Sequence, residues 1–217
     1  MQEVANNKAL KKGILIAIEG IDGAGKTTQT LLLAEKLKKE GYATVSLHEP
    51  TDGKWGQKVR ELAKSGRHNV TPEEELNFFF QDRIEDVTDN INPALKNKKI
   101  VLMDRYYFSS IAYQGVRGLN TTEIEKMNEK IAPPPDILLI LDIKPSVSLQ
   151  RIRRNREDGP NEFEKTKHLE ESREIFLKQF SNRSYTKIIE GNGRRSPEEI
   201  SNSIWLIVEP IIRGIKQ

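Results

Sequence analysis

Apolar residues in this chain gather in short blocks separated by longer stretches with helical spacing. Ile14–Ile18, Ala43–Leu47, Lys99–Met103, Ile137–Leu141 and Thr186–Ile189 are rich in Ile, Val and Leu and are short enough to be buried strands. Each is preceded or followed by a helical pattern, the order expected of parallel β-α-β units. The pattern therefore predicts an α/β fold, a doubly wound five-stranded parallel sheet with helices on both faces.

Two helix starts are explicit. Thr71-Pro-Glu-Glu74 and Ser196-Pro-Glu-Glu199 each offer a hydroxyl cap, proline at the first helical position and glutamate at the third. Downstream of Pro72, Leu76, Phe80, Ile84, Val87 and Ile91 step by four, four, three and four, a core stripe. Phe79 and Arg83, four apart, share a neighbouring face. Two readings of that pair stand open from the residues alone. An aromatic plate beside a cation suits a flat ring and its carbonyl; equally, Phe79 widens the core contact and Arg83 pairs with a surface carboxylate.

Composition narrows the class. The 217 residues suffice for one well-cored domain, expected over residues 13–217 with residues 1–12 as a flexible polar tail. Interspersed charges, 35 basic against 32 acidic for a net +3, form no extended basic stripe, so no nucleic-acid partner is expected. Cysteine is absent, which excludes disulfides and thiolate chemistry. No apolar run approaches the roughly 20 residues of a membrane span, so no membrane partner and a cytoplasmic location are expected. His48, His68 and His168 lack metal-ligand spacing.

The chemistry concentrates behind the first strand. Gly20, Ile21, Asp22, Gly23, Ala24, Gly25, Lys26 and Thr27 fit G-x-x-x-x-G-K-[ST] between a predicted strand and a predicted helix. In such a loop backbone N–H groups curl around phosphate oxygens, Lys26 spans the β- and γ-phosphates, and the Thr27 hydroxyl ligates Mg²⁺. Thr28 extends the candidate phosphate-binding set. Asp104 ends the third strand at the ligand edge, where a carboxylate can orient Mg²⁺ or its water, and Arg105 can take a phosphate bidentately. Further along, Arg153, Arg154 and Arg156 enter the Glu-Asp-Gly-Pro-Asn break at 157–161. Arginines on a mobile flap, expected at about 151–164, suit charge stabilisation during phosphoryl transfer.

Six stretches, EGIDGAGKTTQ, EPTDGKWGQKVREL, FFFQDR, DRYYFSSIAYQG, PDILLILDIKPSVSLQRI and EFE, in this order over residues 13–213, resemble the thymidylate kinase family. The resemblance implies the P-loop nucleoside-monophosphate-kinase fold and transfer of the ATP γ-phosphate to dTMP, giving dTDP for dTTP biosynthesis. It also implies Mg²⁺ and a homodimer. By the same resemblance Phe79 stacks the thymine, Arg83 bonds a base carbonyl, and Arg105 holds the acceptor phosphate. Ser109, Ser110 and Gln114 lie near the base, Tyr113 packs against the sugar, and Asp22 and Glu49 complete the dTMP set. Arg153, Arg154 and Arg156 form the closing lid, since no loop position holds arginine. His48 stands where Arg is common in the family, with Lys54 and Arg60 as the alternative acceptor-side cations. Asn161-Glu162-Phe163-Glu164 replaces the common Asp-Arg-Phe-Glu. The competing expectations are a kinase of the same fold for another monophosphate such as dUMP, and a nucleotide-dependent switch without an acceptor.

Overall fold

The computed structural model of the chain describes residues 8–65, 70–153, 162–191 and 193–215. Strands β1 (Ile14–Glu19), β2 (Thr44–His48), β3 (Ile100–Asp104), β4 (Ile137–Asp142) and β5 (Thr186–Glu190) form one sheet in the order β2-β3-β1-β4-β5. Every pairing is parallel, and each strand lies within one residue of its predicted bounds. Central β1 is buried along its whole length, as a strand covered on both faces must be.

The connections are helical: α1 (Lys26–Lys39), α2 (Lys54–Ser65), α3 (Pro72–Asp86), α4 (Asn92–Lys96), α5 (Tyr107–Val116), α6 (Thr121–Glu129), α7 (Pro145–Arg153), α8 (Glu162–Phe180) and α9 (Pro197–Gly214). Helix α1 packs on α9 and the first three strands, whereas α5 packs between α6 and α8. Phe108 of α5 meets Phe180 of α8 edge-on at 4.9 Å, inside an aromatic cluster that also holds Tyr106 and Tyr107. The sheet order reverses direction around β1. The crevice outside the carboxyl ends of β1 and its neighbours is thus the place where a ligand fits such a sheet.

Both proline-led caps form full capping boxes, Thr71 with Glu74 and Ser196 with Glu199. The stripe beyond Pro72 departs from the expectation. Helix α3 ends at Asp86 and a wide π turn, Val87–Ile91, follows before α4. Pro93 has no N–H to give, and the Asn92 N–H reaches back five residues to the Val87 carbonyl. Leu76, Val87 and Ile91 are buried, but Phe80 and Ile84 are half-buried, and Glu75, Asp82, Arg83 and Asp86 are buried in their place. A polar face of α3 therefore looks inward. The expected tail is anchored from residue 8: Leu10 is in the core, and the Lys8 and Lys11 N–H groups bond the Gly41 and Ile215 carbonyls.

Candidate active site

The loop between β1 and α1 has the shape its glycines dictate. Gly25 caps α1 with φ 97°, a conformation costly for any side chain, and a Cβ on Gly20 would stand 2.5 Å from the Leu141 carbonyl oxygen. No acidic residue occupies the first turn of α1, so the positive end of its dipole faces the loop unneutralised. Lys26 is buried, its Nζ donating to the Gly20 and Ile21 carbonyls at 2.9 Å each. Burial and the nearby Arg105 charge lower its pKa to about 8. Helix α7 clamps the loop from outside. Ser148 Oγ donates to the Asp22 carbonyl, and Arg151 Nη1 donates to those of Gly23 and Ala24 at 3.3 and 3.4 Å.

At the mouth of this loop, Thr27 Oγ1 donates to Asp104 Oδ2 at 2.5 Å. A hydroxyl and a carboxylate converging at the strand edge are hard oxygen donors. They suit Mg²⁺, which takes one or two protein oxygens and completes its shell with phosphate and water. Among the described residues no group of three or more His, Cys, Asp or Glu gathers into a metal cage.

Arg105 follows Asp104 in the left-handed region, φ 70°. Its guanidinium pairs with Asp22 of the loop, donates to Ser109 Oγ at 3.1 Å and lies 5.5 Å from the Tyr113 ring centre. The Tyr113 hydroxyl donates to Asp22 at 3.2 Å. Asp22 is half exposed, and its partial withdrawal from water, which would raise its carboxyl pKa, is outweighed by Arg105 and Lys26, which hold it at about 2. Beneath this trio lies Glu19, fully buried at the end of β1. Its carboxylate accepts from the Tyr106 and Ser109 N–H groups at 2.7 and 3.0 Å and from Ser109 Oγ at 2.7 Å. Burial pushes its pKa up against those bonds.

One turn from half-buried Phe79, Arg83 lies almost fully buried in the polar face of α3. Its Nε donates to both Glu49 oxygens, at 3.0 and 3.1 Å, and Nη2 donates to Glu49 and, at 3.1 Å, to Ser110 Oγ. Nη1 donates to Asn128 Oδ1 at 2.5 Å. Burial raises Glu49 to about 7, with Arg83 only partly offsetting it. Gln114 is buried on the same side, and its Oε1 has no protein hydrogen-bond partner. Of the two readings of Phe79 and Arg83, the surface ion pair fails: Arg83 is an interior cation.

A glycine loop at the strand edge, an oxygen pair beside it and the buried polar group around Arg83 thus lie along the carboxyl side of the sheet. The family model of thymidylate kinase matches residues 18–204. The chain belongs to the thymidylate kinase family. A protein of Archaeoglobus fulgidus described as "Probable thymidylate kinase" is 43% identical over 199 residues, covering 92% of this chain and 96% of its own. A thymidylate kinase of Xylella fastidiosa is 47% identical over 165 residues, 76% of this chain and 74% of its own. A crystal structure of thymidylate kinase from Ehrlichia chaffeensis superimposes with a TM-score of 0.71 at 28% identity, covering 92% of this chain and 98% of that one.

His48, which precedes Glu49 where an arginine is common in the family, has its Nε2 3.7 Å from Asp52 Oδ1. Arg60 Nη1 donates to the Pro50 carbonyl at 2.9 Å and Nη2 pairs with Asp52 at 3.1 Å. Lys54 lies over the Trp55 ring. Arg153 ends α7 with its side chain exposed, while Arg154 and Arg156 lie outside the described residues. Sequence patterns missed Glu19, Asn128 and Arg151. The Glu ending an apolar run just before the loop was a signal for the first; the other two carry none, because their partners are remote in the chain.

Proposed function

We propose that the chain transfers the γ-phosphate of ATP to dTMP, giving dTDP and ADP. The observation that supports this reading is the Arg105–Asp22 pair at the phosphate loop, beside Ser109 and Tyr113 of α5, the helix that also carries Ser110, a partner of Arg83. Asp104 and Thr27 would hold Mg²⁺, whose charge offsets the repulsion between donor and acceptor phosphates. When donor phosphates enter, Lys26 exchanges the Gly20 and Ile21 carbonyls for phosphate oxygens, and the loop N–H groups from Gly20 to Thr28 receive the rest. Arg105 exchanges Asp22 for the acceptor phosphate, and Asp22 turns to the acceptor sugar or phosphate beside Tyr113.

A nucleoside monophosphate is already largely ionised near neutral pH, so no general base is needed. Alignment of the two phosphates and neutralisation of their charge supply the catalysis. Phe79 stacks the base, Arg83 bonds its carbonyl while Glu49 holds the guanidinium, and Ser109, Ser110 and Gln114 complete the pocket. Arg153, Arg154 and Arg156 belong to a lid, at about 151–164 of a single kinase domain, that closes on the transferring group. A cytoplasmic homodimer completes the reading.

The test is release of ADP from ATP with Mg²⁺ and a panel of monophosphates. We expect dTMP to give the highest kcat/KM. Greater stimulation by dUMP would replace the acceptor, and no stimulation by any monophosphate would leave a nucleotide switch.

A further inference from the structure

Arginine carries five N–H hydrogens. In Arg83 the Nε hydrogen is shared between both Glu49 oxygens, Nη2 spends its two on Glu49 and Ser110, and Nη1 spends one on Asn128. One Nη1 hydrogen remains outside these bonds. Asn128, fully buried near the end of α6, cannot rotate its amide to offer a donor instead. Its Nδ2 is committed to the Ile124 carbonyl at 2.7 Å, so only Oδ1 faces the guanidinium. The Glu49 fork comes from the β2 side, and a guanidinium held by one fork can still tilt about it. Asn128 and Ser110, on α6 and α5, stop that tilt. Asn128 does so as a neutral amide, adding no second negative charge beside a carboxyl already raised to about 7 by burial.

We propose that Asn128 is a specificity-determining positioning residue: it fixes Arg83 so that the remaining Nη1 hydrogen meets a ring carbonyl, selecting 4-oxo pyrimidines over 4-amino ones. This rests on the acceptor reading above. A 4-amino group would set donor against donor in a buried pocket, a mismatch that hydrogen-bonding sites reject strongly. Once Asn128 is removed, the guanidinium can turn that hydrogen away and the rejection weakens.

The experiment is steady-state kinetics of the full chain with dTMP, dUMP and dCMP, beside thermal melting. For Asn128→Leu we expect KM for dTMP to rise about tenfold or more, with KM for ATP within about twofold. The ratio of kcat/KM for dTMP over dCMP should fall about tenfold. If Asn128→Leu does not fold, Asn128→Ser, whose hydroxyl is too short to reach Arg83, is read by the same two ratios. A lowered Tm with unchanged KM for dTMP and unchanged selectivity, or a parallel rise in both KM values, overturns the proposal. Failure of dTMP to stimulate the unaltered protein would instead overturn the acceptor reading.

Discussion

Arg105 sits at φ 70°, a backbone region that costs a residue with a side chain about 1–3 kcal/mol unless its surroundings hold it there. Glu19 supplies the hold. Its carboxylate ties down the N–H of Tyr106, the next residue, and that of Ser109, four further on, fixing the start of α5. Glu19→Gln replaces one acceptor oxygen with an amide donor facing those N–H groups. We expect KM for dTMP to rise about tenfold with KM for ATP little changed, and equal losses for both substrates would count against this link. Lys26→Ala and Arg105→Ala should each lower turnover by about 10³-fold or more while circular dichroism remains native. Glu49 makes a separate prediction. Because burial raises it from 4.5 to about 7, the folded chain holds that proton more tightly than the unfolded one. Its contribution to stability is full below about pH 4.5 and falls as pH rises toward 7. Glu49→Gln should therefore show a flatter Tm profile than the unaltered protein across that window, and parallel profiles would refute the assignment. Asp104 and Arg105 were legible in sequence because a strand end marks the ligand edge. Glu19 ends an apolar run in the same way, but its bonds were not legible because the groups it binds lie 87 and 90 residues away.

Elements announced themselves where local chemistry decides them. The five strands are short apolar runs, and the two capping boxes are four-residue signatures that need no tertiary partner. The course of the chain after α3 was less legible. An apolar stripe at steps of three and four cannot reveal that Pro93 forces a wide turn, or that the inward face carries Asp82, Arg83 and Asp86. Those buried charges depend on partners from other elements. The Thr51 N–H and hydroxyl both donate to Asp82, at 2.8 and 2.6 Å, which ties the segment after β2 to α3. Since α3 carries both Phe79 and Arg83, its cap matters to the pocket as well as to stability. Thr71→Ala should cost about 1 kcal/mol and lower Tm by roughly 2–4 °C. A melting curve that does not move would mean that tertiary contacts, not the cap, hold the start of α3.

On the scale of the molecule, the parallel sheet gathers two sites of different origin at one edge. The donor loop belongs to β1 and α1. The proposed acceptor site draws its residues from α3 and α5, with Asn128 of α6 behind Arg83, which explains why the first was readable as one motif and the second only through resemblance. Separate construction predicts separable binding. Each nucleotide should stabilise the folded chain by mass action, about 2.7 kcal/mol at a hundred times its Kd. For a chain of this size that corresponds to a rise in Tm of roughly 5–10 °C. With Lys26→Ala the increment from ATP and Mg²⁺ should shrink while that from dTMP persists; with Arg105→Ala the dTMP increment should shrink and the ATP increment persist. The Arg105–Asp22 pair spans the two sites, so Asp22→Asn is the one substitution expected to disturb both increments. Loss of both increments in Lys26→Ala would show instead that the acceptor pocket forms only around a bound donor.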